Sequence, residues 1–186
     1  MLLNHPHGYG ALTKAFHWLV VALFTFQLCS GLVMTRLGAG PAADGFYNWH
    51  KTMGLVALAV ALGRIWARRA GTLPDWAPCL TVTDKRVVHH AERLLYLGMF
   101  LMPLSGFVLV MAGGYGVLFA GRWALPNPLP RSDALAVAAA WLHLATGIMI
   151  AAALAGHMWV VLRHRRRIIG RMLFSAPRRP DAANPG

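Results

Sequence analysis

Long apolar runs alternate along the chain with short clusters of glycine, proline and charge. Crossing hydrocarbon takes about 20 mainly apolar residues, because without water every backbone N–H and C=O must bond within its own helix. Four stretches meet that length: residues 12–34, about 47–67, 94–112 and 134–162. Pro103 lies inside the third, between Gly98 and Gly106, where a membrane helix tolerates it with a kink. Gly38, Gly40, Pro41 and Gly45 break the first gap, Gly71, Pro74 and Pro78 the second, and residues 113–130 the third. The pattern predicts one all-α domain, an integral membrane four-helix bundle, followed after Phe174 by a Pro- and Arg-rich tail that frays.

Composition sharpens this picture. Of 186 residues, 57% are apolar and 13% charged, against roughly 45–50% and about 25% in soluble domains, which argues against a water-soluble fold. The net charge of +12, from 18 Lys and Arg against 6 Asp and Glu, sits at the span ends. One side collects Lys14, Arg64, Arg68, Arg69, Lys85, Arg86, Arg93 and the seven arginines between 163 and 179; the other holds Arg36, Lys51, Arg122 and Arg131. Positive residues stay inside, so both termini are expected to be cytoplasmic. The first run is longer than a signal-peptide core and lacks an A-x-A site, which predicts a retained helix. The basic cluster at 163–167 suits anionic lipid headgroups rather than nucleic acid. Cys29 and Cys79, with no CxxC or CxxCH, exclude a disulfide scaffold, a zinc ribbon and covalent c-type haem, and neither is expected to form a disulfide.

Ionisable groups within spans are functional candidates, and four histidines qualify: His17, His50, His143 and His157. By the predicted orientation His17 lies toward the cytoplasm, while His50 and His143 lie near the outer surface. His157 follows His143 by 14 residues, roughly 21 Å deeper and on the same helix face. One helix thus offers two ligands at two depths, predicting the pairs His50 with His143 and His17 with His157. Zinc would want four ligands, usually with thiolate or carboxylate. Haem needs two axial ligands and an apolar slot, so two low-spin b haems fit these pairs best. Gly31, Gly54, Gly147, Ala57 and Ala61 on or near the histidine faces leave room for a flat macrocycle, or serve ordinary helix packing. Arg64, 14 residues after His50, either pairs with a haem propionate or snorkels from its helix end. Without haem, the histidines would be interhelical hydrogen-bonding groups, which leaves their matched depths unexplained.

Phe16, His17, Trp18 and Leu19 opening the first span, Trp49 and His50 opening the second, Tyr96 with Pro103, Leu104, Ser105 and Gly106 in the third, and the His143/His157 spacing resemble the prokaryotic cytochrome b561 family. The size is closest to its stand-alone four-helix, di-haem members of the superoxide oxidase type. The resemblance implies a di-haem transmembrane domain over residues 1–174 with a flexible cytoplasmic tail at 175–186. It also implies haem and iron held by His17, His50, His143 and His157, a multi-pass place in the bacterial inner (plasma) membrane, and ubiquinone as electron partner. His164 resembles a family histidine near the quinone end, and His89 is the better match of the two at the start of the third helix; His90 and Glu92 depart from the family spacing. The implied function is electron transfer through two b haems from a periplasmic one-electron donor, superoxide or a redox protein, to ubiquinone in the respiratory chain. As an enzyme it would be an oxidoreductase of the superoxide:ubiquinone type. The alternative is a cytochrome b subunit relaying electrons from a dehydrogenase or hydrogenase partner to quinone. The outer connections carry Arg36, Lys51, Arg122 and Arg131 against Asp44 and Asp133, a balance that steers anions inward.

Overall fold

The computed structural model describes residues 2–6 and 8–173; the tail predicted at 175–186 lies outside them. The element order is α1 (Ala11–Met34), α2 (Pro41–Ala70), α3 (Val82–Ala112), β1 (Leu118–Phe119), β2 (Trp123–Ala124), α4 (Asp133–Arg163) and α5 (Arg165–Leu173). The described chain is therefore mostly helical, with four long helices, one short one and a minimal hairpin that the all-α expectation did not include.

Helix ends follow local chemistry. Gly40, at φ 154°, turns the chain into Pro41, which opens α2 with its fixed φ and no wasted donor. α3 begins 12 residues before the predicted span because Thr81 and Asp84 form a reciprocal capping box. The apolar run measures hydrocarbon, whereas the cap measures helix, so α3 continues through a polar extension. Ser132 caps α4 by accepting from the Leu135 N–H at 3.3 Å. At His164 the α4 geometry breaks and α5 begins, and Met172 of α5 is tied back to α1 through the Trp18 indole N–H.

Three of the long helices, α1, α3 and α4, are long and apolar enough to cross a membrane. α2 is long, but His50, Lys51, Arg64, Arg68 and Arg69 dilute its hydropathy. Packing is inverted relative to a soluble bundle. Buried positions are mostly small, including Ala61, Ala91, Gly98, Ser105, Ala139 and Ala153, while Ile148 and Trp159 are 64% and 67% exposed. Where the surroundings are hydrocarbon, large side chains gain nothing by turning inward, and small ones let backbones approach. α1 packs on α2, α2 on α3 and α3 on α4, whereas α4 does not pack extensively on α1 or α2.

The three-residue loop of the hairpin uses left-handed backbone at Ala120 and Gly121, φ 51° and 69°. The strands dock on the first turns of α2: the Ala120 N–H donates to Thr52 Oγ1 at 3.0 Å, and Lys51 Nζ donates to the Gly116 carbonyl at 3.2 Å.

The tightest approach between α3 and α4 is at Gly98, where a Cβ would stand 2.5 Å from Ile150 Cγ1. Gly98→Val is expected to destabilise the fold by about 1–3 kcal/mol through overpacking. Gly45→Ala, which has open space around it, should be neutral or mildly stabilising; thermal unfolding of the detergent-purified protein checks the contrast.

Candidate functional site

The four predicted histidines come together as predicted. His50 on α2 faces His143 on α4 with ring centroids 6.4 Å apart and planes at 72°. His17 on α1 faces His157 on α4 at 6.5 Å and 53°. All four are half-buried. These are the outer and inner pairs of the sequence-predicted orientation. Both lie across the clefts where α4 leaves α1 and α2 unpacked. Two imidazoles trans on one metal, with metal–nitrogen bonds of about 2 Å each, hold their ring centres roughly 6 Å apart. Among the described residues no group of three or more His, Cys, Asp or Glu gathers to hold a metal. Each pair is thus a two-imidazole site, the donor set that haem takes axially.

Hydrogen bonds orient the outer pair. Ser30 Oγ lies 2.9 Å from His50 Nδ1 and donates to the Gln27 carbonyl at 3.2 Å. On the opposite helix pair, Ser105 Oγ lies 3.2 Å from His143 Nδ1 and donates to the Met102 carbonyl at 3.0 Å, while the same carbonyl lies 3.0 Å from His143 Nδ1. A hydroxyl has one proton. With that proton on a carbonyl, each serine oxygen accepts from the imidazole, so Nδ1 carries the hydrogen in both rings and Nε2 keeps its lone pair. A glycine makes the approach possible at His143, where a Cβ at Gly106 would sit 3.0 Å from Cε1; one at Gly31 would make ordinary contact with His50 Cε1 at 3.5 Å. The sequence reading did not assign Ser30, Ser105 or the Met102 carbonyl. The available signal is the repeated Ser–Gly step, at 30 and 31 and at 105 and 106. Gly54 and Gly147, expected on the histidine faces, instead meet Gln27 Nε2 and Met102 Cε at 3.3 and 3.5 Å from an added Cβ. They are helix-packing positions.

The inner pair has different surroundings. His17 packs edge-on against Trp18 at 5.5 Å. The Arg64 guanidinium stands 5.5 Å over the Tyr96 ring, and its buried Nη1 has no hydrogen-bond partner among the described residues. An orphaned buried guanidinium nitrogen is the complement of an anionic carboxylate, which fits a haem propionate. Arg68 pairs with Glu92 beside the same tyrosine. His164 Nε2 bonds Asp84 Oδ2 at 3.1 Å, with Arg163 at 3.9 Å from the other oxygen. His89 and His90 are exposed side by side on α3, centroids 6.0 Å apart.

A helical bundle with helices long and apolar enough to cross a membrane, two imidazole pairs and a half-buried arginine with an unpartnered Nη1 has the features of a membrane redox protein. The chain belongs to the prokaryotic cytochrome b561 family, whose sequence profile matches residues 8–175. It is similar to cytochrome b561 homolog 2 of Escherichia coli (strain K12), 30% identical over 171 residues that cover 87% of this chain and 86% of the relative. Membership makes it a multi-pass bacterial membrane cytochrome, with b-type haem as its cofactor class and transmembrane electron transfer as its activity.

Gly106→Val should push the His143 ring out of place and weaken haem retention by about 10-fold or more. Gly147→Ala, where the added Cβ makes only ordinary contact, should leave it intact. Haem per protein in the dithionite-reduced spectrum is the readout.

Proposed function

We propose that this protein binds two b haems, the outer between His50 and His143 and the inner between His17 and His157, and passes single electrons from a periplasmic donor to membrane ubiquinone. The observation that carries this reading is the pair of imidazole gaps of nearly equal width, 6.4 and 6.5 Å, each completed by α4. Haem held there would supply one-electron Fe(III)/Fe(II) exchange. The four histidines hold the metal and keep substrate off it. Arg64 turns its free Nη1 to a propionate through a charge-assisted hydrogen bond.

In this reading residues 1–174 form the di-haem domain, both termini are cytoplasmic, and the membrane is the bacterial inner membrane. At the outer end, Arg36, Lys51, Arg122 and Arg131 outnumber Asp44 and Asp133, which draws in a small anionic reductant such as superoxide. Lys51 is held near His50 by the Gly116 carbonyl. At the inner end, the Asp84 carboxylate takes the Nε2–H of His164, so Nδ1 is the nitrogen left to accept a hydroxyl hydrogen of the reduced quinone, with His89 as a second contact. The docking of the α3–α4 hairpin onto α2 through Thr52 and Lys51 keeps the outer surface compact. That favours a self-sufficient oxidoreductase over a subunit that receives electrons from a dehydrogenase or hydrogenase.

His50→Ala and His143→Ala should each remove the same haem component, about half the total, and His17→Ala and His157→Ala the other. Full haem content in all four variants would refute the ligand assignment. Superoxide-driven ubiquinone reduction by the isolated protein should be measurable. Lys51→Ala should slow it several-fold, with the difference shrinking as salt screens the charge.

A further inference from the structure

We propose that the two Ser–Gly steps, Ser30 with Gly31 on α1 and Ser105 with Gly106 on α3, are positioning devices that lower the reduction potential of the outer site beneath that of the inner one. The inference rests on the haem assignment above and adds a direction to it, because an electron then runs downhill from the outer site to the inner.

The two devices are built alike. Each serine belongs to a membrane-crossing helix adjacent to the one bearing its histidine, donates to the carbonyl three residues back in its own helix, and presents its oxygen to an imidazole Nδ1. Both serines are almost fully buried, 2% and 3% exposed, so bulk water has little access to either hydroxyl. In each case the next residue is a glycine beside the imidazole: at Gly106 an added Cβ would crowd His143 at 3.0 Å, and at Gly31 it would touch His50 at 3.5 Å. At His143 the Met102 carbonyl adds a second acceptor to the same N–H. An imidazole whose N–H is held by an oxygen acceptor is a stronger electron donor through its other nitrogen. Stronger donation favours the ferric state, and second-shell hydrogen bonding is one of the protein's levers on haem potential.

Around the inner pair a different group stands. Arg64, 14 residues after His50 on α2, is half-buried with its Nη1 buried and without a hydrogen-bond partner among the described residues, while the Glu92 carboxylate is paired with Arg68. Positive charge favours the more reduced, less positive metal. Lowering one site and raising the other makes a gradient, and the two ends of the gradient are set by different residues.

Potentiometric titration of the purified full-length protein, followed by its visible spectrum, tests this. The component lost in His50→Ala and His143→Ala identifies the outer haem. In Ser30→Ala the midpoint of that component should rise by on the order of a tenfold change in the ferric/ferrous equilibrium, about 59 mV for a one-electron couple, and in Ser105→Ala by less, because the Met102 carbonyl still holds the His143 N–H, with the other component unmoved in both. Ser→Thr at either position, which keeps the hydroxyl, should bring the midpoint back toward the starting value. Should the alanine variants shed the outer haem, Ser→Cys, similar in shape but a weaker acceptor, should give an upward shift in its place. An unchanged or lowered outer midpoint, or equal movement of both components, overturns the proposal while leaving the ligands in place. Retention of both haems in the histidine variants overturns the haem assignment instead.

Discussion

A neutral imidazole brings one donor and one acceptor wherever it goes, and in an apolar bundle an unmet polar group costs a few kcal/mol. The structure around His50 and His143 follows from meeting that requirement with a single geometry. One nitrogen is consumed by serine and carbonyl oxygens, and the other is left with its lone pair. Gly106 follows, because the His143 ring reaches the α3 backbone where a Cβ would stand only 3.0 Å from Cε1. The polar residues of α2 follow as well: the helix that carries His50 and Arg64 gives up part of its hydropathy to do so.

The inside-out packing serves the same end. Small residues at Ala61, Ala91, Ala139 and Ala153 draw the backbones of neighbouring helices together, and the large apolar side chains face outward, where hydrocarbon receives them as well as a core would. α3 and α4 make a close pair, with Gly98 against Ile150. The opposite edges of α4, toward α1 and α2, are left to rings rather than to interlocked side chains. That unequal distribution of contact leaves the imidazole pairs between α4 and the helices α1 and α2, and the individual glycines at 54 and 147 contribute helix packing.

Much of this was legible in the sequence because helical periodicity is a local property. Hydrocarbon length fixed α1 and α4 to within a residue at each end, and the 14-residue spacing of His143 and His157 gave both their depth and their shared face. The early starts of α2 and α3 were missed because an apolar run reports the bilayer and a cap reports the helix; Thr81 and Asp84 carried the cap signal outside the run. Ser30 and Ser105 were not assigned because a serine in an apolar helix ordinarily bonds its own backbone, and here each does that and serves a histidine too. Only the register between helices reveals the second role. The contact of His164 with Asp84 joins residues 80 apart in the chain, and the docking of the hairpin depends on left-handed backbone at Ala120, a residue type that gives no warning of it.

α4 contributes one member to each imidazole pair, at positions 143 and 157. Its angular phase is therefore common to both. Each residue advances a helix by about 100°, so a single insertion or deletion between those positions would keep one ring in its gap only by swinging the other away, whatever the new residue's chemistry. The stretch from Leu144 to Gly156 is thus under a constraint of count as well as of kind: its length decides whether both imidazole pairs can form at once, and α4 works as a shaft on which two separate rings are keyed to the same angle.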